Sequence, residues 1–102
     1  MKNFRTYELA VFLYQECQKI KAKNPVIRDQ FERASLSIVL NLTEGSGKLS
    51  AKDRRRFYSI SLGSLRETQF LLQILEASAV AKIADQLGAY LYRLIQNPGG
   101  SP

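Results

Sequence analysis

Histidine is absent from this 102-residue sequence, and its absence excludes several kinds of active site. Ser-His-Asp and Cys-His nucleophile systems need an imidazole, and so do the Glu-x-x-His ligands of di-iron four-helix bundles. Metal binding would have to use carboxylates and one thiol, and no spacing of these residues favours a site. We therefore expect no enzymatic activity, no metal and no cofactor.

Cysteine and long apolar runs are scarce as well. Cys17 is the one cysteine, so the chain forms no internal disulfide and indicates no oxidising compartment. We expect Cys17 to be a small apolar side chain of the core. The apolar run from Leu9 to Tyr14 is too short for a signal peptide or a membrane span, so the sequence predicts a cytoplasmic protein with no membrane partner.

Proline occurs only at positions 25, 98 and 102, while apolar residues recur every three or four positions. This spacing predicts an all-α protein with helices over about 6–23, 26–46, 51–77 and 80–96. Ser50 followed three residues later by Asp53 predicts the start of the third helix. The short connections favour an antiparallel up-down-up-down four-helix bundle, with one domain over 1–97 and a flexible tail over 98–102.

The spacing also predicts which side chains face the core. In the first helix these are Tyr7, Ala10, Tyr14 and Cys17, with Leu13 and Ile20 beside them, and in the third they are Phe57, Ile60, Ser64, Leu71, Leu72 and Leu75. The second helix has a core stripe of Ile27, Phe31, Ala34, Ile38 and Leu42, but Leu36, Val39 and Leu40 lie off that stripe. Either this helix is central to the bundle, or another subunit covers its back.

Three glycines are expected to have structural roles. Gly45 and Gly47 are predicted to end the second helix in the left-handed conformation. Gly63 interrupts the third helix at a cost of about 1 kcal/mol relative to alanine. Either another helix backbone passes close to Gly63, or the glycine is a tolerated imperfection.

Positive charge is concentrated in one short window. The chain has 15 Lys and Arg against 9 Asp and Glu, a net charge of +6. Residues 48–56 contain one acid, Asp53, and five cations: Lys48, Lys52, Arg54, Arg55 and Arg56. Cations in the first turns of a helix oppose its dipole, which favours an anionic partner over the alternative of a solvated charged loop. Lys19, Lys21 and Lys23 suit the end of their helix and need no such explanation.

The acidic residues nearest this window have a structural interpretation. Three consecutive arginines cannot all line one groove, so we expect one of them to turn inward to an acidic partner. Glu44 lies in the final turn of its helix, and we expect it to have a fixed cationic or N–H partner such as an arginine of the 54–56 run. The pairs Asn41 with Glu44 and Ser64 with Glu67 each share a helix face, and we favour structural hydrogen bonding over general acid/base catalysis for their carboxylates.

The sequence resembles a known family across nearly its whole length. The residues that carry the resemblance are Ala34, Ile38, Asn41, Glu44, Gly45, Phe57, Gly63, Ser64 and Glu67. They are similar to the pattern of four-helix bundle proteins encoded by intervening sequences in bacterial large-subunit ribosomal RNA genes, a family related to accessory variability determinants of diversity-generating retroelements. Thr43 and Ser61 stand where that family often has alanine.

The resemblance implies an antiparallel four-helix bundle that assembles into a ring, typically a homopentamer, with a basic surface and a nucleic-acid-binding role. It also implies that Asn41, Glu44, Gly45, Gly63, Ser64 and Glu67 serve packing and assembly. Together with the charge, it predicts a homo-oligomeric scaffold that binds RNA or DNA through phosphates with weak sequence preference. The contacts would be Lys48, Lys52, Arg54, Arg55 and Arg56. The alternative is a protein–protein adaptor whose basic loop docks on an acidic partner such as a polymerase, for instance a reverse transcriptase.

Overall fold

The computed structural model describes residues 4–99, and over this range the chain forms a four-helix bundle without strands. The helices are α1 (Phe4–Gln18), α2 (Pro25–Ser46), α3 (Ala51–Ile74) and α4 (Ser78–Gln96). Helix α1 packs on α2, α2 on α3, α3 on α4, and α4 back on α1, so the four helices enclose one core. The predicted all-α fold is confirmed.

Local signals in the sequence set most of the helix ends. The Asn24 side chain accepts hydrogen bonds from the backbone N–H of Val26 and Ile27 at 2.8 and 3.2 Å, and proline opens α2 at position 25. The Ser50 hydroxyl accepts from the backbone N–H of Asp53 at 3.1 Å, which confirms the predicted start of α3. Both caps provide acceptors for N–H groups that have no partner within the helix.

Two helices end earlier than predicted. Helix α1 ends at Gln18 rather than near residue 23, and α3 ends at Ile74 rather than near residue 77. The left-handed prediction was wrong for both glycines, since Gly45 lies within α2 and the φ of Gly47 is −89°. The left-handed residue is Glu76, with a φ of 55°, in the turn between α3 and α4.

The core is built mainly of leucine. Its most completely buried large side chains are Tyr58, Leu13, Ile38, Leu42, Leu65, Leu72, Leu87 and Leu91. The register predicted for α3 was off by one position at its N-terminal half: Tyr58, Ser61 and Leu65 are buried there, whereas Ile60 is exposed. Leu71 and Leu72 are buried as predicted.

Buried hydroxyl groups caused this difference in register. Ser61 is fully buried and donates to the carbonyl oxygen of Ile38 in α2 at 2.7 Å. Thr68 is also fully buried and donates to the carbonyl oxygen of Ser64 at 2.9 Å. A hydroxyl with such a partner can be buried without the desolvation penalty of an unpaired group. Ser61 and Thr68 therefore lie in the core, although the spacing of apolar residues did not predict core positions for them.

Gly45 in α2 and Gly63 in α3 have opposite surroundings. A Cβ atom at Gly45 would lie 2.8 and 2.9 Å from ring atoms of Tyr58 and 3.0 Å from Cβ of Phe57, so Gly45 lets α3 approach α2 closely. A Cβ atom at Gly63 would meet no atom within 4 Å. Within the bundle, the predicted close approach of another helix at Gly63 does not occur.

Candidate nucleic-acid interface

All five predicted cations lie at one end of the bundle, where α2 ends, α3 begins and the chain leaves α4. We call this the basic end and define it by Lys48, Lys52, Arg54, Arg55 and Arg56. Lys52, Arg55 and Arg56 are exposed, while Lys48 and Arg54 are half-buried. The structure thus brings the five residues together, but it gives them different partners.

Arg54 binds three backbone carbonyl groups from two separate segments. Its Nε donates to the carbonyl oxygen of Pro98 at 2.7 Å, and its Nη1 donates to those of Lys48 and Leu49 at 3.0 and 2.8 Å. The guanidinium therefore ties the α2–α3 connection to the residues that follow α4. Pro98, the first residue of the predicted tail, is buried here, and residues 100–102 of that tail lie outside the described residues.

Arg55 makes a related contact with the last turn of α4. Its Nε donates to the carbonyl oxygen of Ile95 at 3.1 Å. The carbonyl groups in the last turn of a helix lack intrahelical partners and carry partial negative charge, so they favour a nearby cation. The end of α4 thus explains part of the unusual placement of cations at the start of α3, and the expected acidic partner of an inward-turned arginine is replaced by backbone carbonyls.

Lys48 and Arg56 both lie over the ring of Phe57. Lys48 Nζ and Arg56 Cζ are each 5.1 Å from the ring centroid, within the range of cation–π attraction. Lys48 Nζ also lies 3.1 Å from a carboxylate oxygen of Glu44. The predicted cationic partner of Glu44 is therefore confirmed, but it is Lys48, four residues along the chain, and not an arginine of the 54–56 run.

Lys52 and Arg56 are the cations of the basic end that hold no backbone carbonyl and form no ion pair within the described residues. Both residues lie in the first two turns of α3, and the N–H groups at the start of a helix also attract anions. These two side chains can meet phosphate oxygens without giving up a hydrogen bond or an ion pair within the bundle, whereas the half-buried Lys48 already pairs with Glu44.

The residues implied by the family resemblance lie mostly outside the core. Asn41 Nδ2 donates to the carbonyl oxygen and the hydroxyl of Ser37 at 2.9 and 3.0 Å, and the hydroxyls of Ser37 and Ser64 are 2.7 Å apart. Gly63 and Glu67 are exposed on the same side of the bundle. Of the six residues, Gly45 alone is buried. Five of them therefore belong to a surface that runs over α2 and α3.

A second polar cluster joins the C-terminal half of α1 to α2, away from the basic end. Glu32 accepts hydrogen bonds from Gln18 Nε2 and, at 2.7 Å, from the Tyr14 hydroxyl. These bonds, that of Gln18 first, lower the pKa of Glu32, and the bond to Glu32 raises the pKa of Tyr14. Burial, with smaller contributions from Glu16 and Glu32, raises the pKa of Cys17 to about 12, so this thiol is a poor nucleophile.

Sequence reasoning missed two features of the basic end. Leu49, in the α2–α3 connection, is 97% exposed, and Phe57 carries two cations rather than packing fully into the core. The sequence did contain a signal for the exposure of Leu49, because this apolar residue interrupts a connection of Gly, Lys and Ser. For the second, the sequence did contain a basic–aromatic junction, Arg56-Phe57-Tyr58, but it did not show that Lys48 also lies over the ring.

The described part of the chain has neither a metal-binding cluster nor a helix that could span a membrane. Residues 4–99 contain no group of three or more Cys, Asp or Glu side chains that could hold a metal ion. In the same range, no helix combines the length and the apolar character needed to cross a membrane.

Comparison with known proteins gave one match. A family model described as 23S rRNA-intervening sequence protein matches residues 4–96, which is almost the whole described range. No curated protein and no solved structure matches the chain.

Proposed function

Since the chain belongs to the 23S rRNA-intervening sequence protein family, we propose that it is a non-enzymatic scaffold that binds nucleic acid through phosphate groups at the basic end. The observation that carries the proposal is the concentration of five cations at that one end. A surface of one charge sign attracts a polyanion before specific contacts form and supplies most of the affinity of nonspecific binding. No base-reading motif accompanies the cations, so sequence preference should be weak.

The geometry supports a division of labour among these five residues. Arg54 and Arg55 spend donors on backbone carbonyls, and they would shape the surface while adding positive potential. Lys52 and Arg56, with the exposed part of Lys48, would make the principal phosphate contacts. The cytoplasm is the compartment where such a protein would meet RNA or DNA.

We also infer that the helices run antiparallel in up-down-up-down order. Tyr58 meets Ser46 near the α2–α3 connection, while Ser64, further along α3, meets Ser37, which is further back along α2. In α3 and α4, Arg55 reaches Ile95, whereas Gln69 reaches Asp85. In both pairs of helices, residue numbers rise along one helix as they fall along the other.

The assembly part of the proposal rests on two apolar faces at different places on the bundle. The outer α2–α3 face carries the exposed side chains of Leu40, Ile60, Phe70 and Ile74 around Gly63. On the other side, α1 and α4 form a groove of about 490 Å³ lined in part by Leu9, Phe12 and Tyr90. Two unlike faces suit head-to-tail contacts, which close into a ring, and the family resemblance makes five the expected number of copies.

The phosphate-binding proposal is tested by the salt dependence of affinity. Wild-type protein and two double variants would be titrated against a labelled RNA duplex and single strand at several salt concentrations. One variant is Lys52→Glu with Arg56→Glu, and the control is Lys21→Glu with Lys23→Glu, which lowers the net charge equally at the opposite end. The first should lose about tenfold in affinity and reduce the salt slope by about two, while the control should change little.

Equal losses in both variants would mean that net charge acts without a defined site, and an unchanged slope in the first would contradict the proposal.

The adaptor function makes a different prediction. If a reverse transcriptase or another acidic protein is the partner, it should remain bound in a pulldown after nuclease treatment. Retention of that protein without nucleic acid would replace the proposed function.

A further inference from the structure

Leu49 is an exposed apolar residue among the cations of the basic end, on a backbone that Arg54 holds. Its side chain is 97% exposed, the highest value among the large apolar residues of the range described. Connections between helices usually carry polar residues, and a single exposed leucine is ordinary on a protein surface. Here, however, Arg54 donates to the carbonyl oxygens of both Leu49 and its neighbour Lys48, so the backbone that presents the side chain is ordered.

Lys48, the residue before Leu49 in the chain, belongs to a cluster of two cations around an aromatic ring. Lys48 lies over the Phe57 ring, and the planar guanidinium of Arg56 lies over that ring as well. Gly45 gives Phe57 its place, because a Cβ atom at position 45 would lie 3.0 Å from Cβ of Phe57. A guanidinium next to an aromatic ring keeps its charge and offers a plane for stacking.

We propose that Leu49, Arg56 and Phe57 form a stacking surface for unpaired bases, so that the protein prefers single-stranded or bulged nucleic acid to a continuous duplex. This inference rests on the phosphate-binding function proposed above and adds the structural class of the nucleic acid. In a duplex the base faces are covered by their neighbours, and only phosphates and groove edges are accessible. An unpaired segment exposes base faces and phosphates together, which matches an apolar side chain and a guanidinium plane set among cations.

An anionic membrane surface would also attract cations and accept a leucine, but the observations favour nucleic acid. One leucine buries little apolar area in a bilayer, and stable anchoring of a protein needs more than one such contribution. The Arg56 guanidinium could bind a lipid phosphate as well as a nucleic-acid phosphate, but a guanidinium beside an aromatic ring also fits the face of a base. Stacking of this kind tolerates every base and agrees with weak sequence preference.

The test compares three fluorescent probes of the same length: a single-stranded oligonucleotide, an abasic strand with the same phosphates, and a duplex. Wild-type protein should bind the oligonucleotide about tenfold more tightly than the abasic strand. Leu49→Ala should remove about threefold or more of that difference while the affinity for the abasic strand stays within twofold. The control is Val26→Ala, which removes an apolar side chain that is 69% exposed at the far end of the bundle and should change nothing.

The outcomes separate this inference from the proposed function. If the wild-type protein binds all three probes equally and Leu49→Ala has no effect, the stacking surface does not exist while phosphate binding stands. Binding to none of the probes would overturn both. Vesicles that contain anionic lipid form the last arm: binding that Leu49→Ala weakens on vesicles and leaves unchanged on the oligonucleotide would assign the surface to a membrane.

Discussion

At the scale of single residues, the same amino acid serves opposite purposes in neighbouring helices. Gly45 is needed because the ring of Tyr58 occupies the space that a side chain would fill, while Gly63 faces open space. Neither residue has the left-handed backbone that commonly selects glycine at a helix end. The difference between them is therefore one of packing alone.

Replacing each glycine by alanine should change stability in opposite directions. Gly45→Ala should lower the free energy of unfolding by about 1–3 kcal/mol, because the new methyl group overlaps a buried ring. Gly63→Ala should raise it by about 0.5–1 kcal/mol, because alanine favours the helix and meets no obstacle. Urea unfolding at a protein concentration low enough to dissociate any assembly measures both. A loss of stability in Gly63→Ala under that condition would contradict the open surroundings of this residue.

At the residue scale, features that depend on local interactions could be predicted from the sequence, and features that depend on contacts between helices could not. Helix formers, prolines and the Ser50 cap act locally, so the four helices could be placed from the sequence. The burial of Ser61 could not, because it depends on the carbonyl of Ile38 in another helix. The exposure of Ile60 follows from the same shift, since its neighbour Ser61 takes the inward position. A cationic partner for Glu44 could be predicted, but not that it would be Lys48, four residues away, rather than an arginine of the 54–56 run.

At the scale of helices, the beginning of α3 depends on the ends of two others. Arg54 and Arg55 place positive charge where α2 and α4 terminate, and there the unpaired carbonyls favour it. Sequence reasoning identified the unfavourable position of these cations within α3. It could not supply the compensation, because that requires knowing that α4 ends beside the start of α3.

Loss of the Arg54 contacts should loosen this end of the bundle. Arg54→Lys keeps the charge but cannot reach three carbonyls with the same planar geometry, so we expect a loss of about 1–3 kcal/mol in unfolding free energy. Amide hydrogen exchange should become faster at residues 47–50 and 97–99. Lys52→Ala, two positions away and exposed, is the matched control and should leave exchange unchanged. Unaltered exchange in Arg54→Lys would show that the tether contributes no order.

The contact between α1 and α2 should respond to acid. The hydrogen bonds from Gln18 and Tyr14 lower the pKa of Glu32 in the folded state, so their stabilisation is present above the ordinary glutamate range near pH 4.3 and is lost as pH falls through the folded pKa. Tyr14→Phe should raise the pKa of Glu32 toward that ordinary range and reduce the loss of stability below pH 4. Carboxyl chemical shifts across a pH titration measure the pKa. Tyr92→Phe, at an exposed position on α4, serves as the control, and an identical Glu32 titration in Tyr14→Phe would contradict the role of the hydroxyl.

At the scale of the whole molecule, the cations of the basic end lie apart from the outer α2–α3 face, although Leu49 is an exposed apolar residue within the basic end. The basic end gathers five cations, while exposed apolar side chains lie along the length of α2 and α3. Sequence analysis located the charge and noted that α2 is apolar over much of its circumference. It could not tell a central helix from a helix covered by another copy, because only the arrangement of neighbours shows that Leu40 faces outward.

Disrupting the outer α2–α3 face should dissociate the proposed assembly without unfolding the bundle. Wild-type protein should have the mass of a ring, about 58 kDa for five chains of 11.6 kDa. Ile60→Arg should shift the protein toward 11.6 kDa at micromolar concentration, because an arginine in an apolar contact is left without a partner. Gln73→Arg, on the flank of α3 nearer α4, is the control. Light scattering after size exclusion measures the mass, and a wild-type monomer would remove the assembly from the proposed function.

The hydrogen bond from Arg54 to Pro98 has a practical consequence for anyone who handles this protein. A purification tag or dye attached after Pro102 starts four residues beyond Pro98, a reach of roughly 14 Å of extended chain. Such a tag would therefore start within reach of the basic end, where acidic residues in it could imitate a ligand and mask the true affinity. Labels for the measurements above belong on the other side of the molecule, for instance through a cysteine introduced at Lys23, near the start of α2.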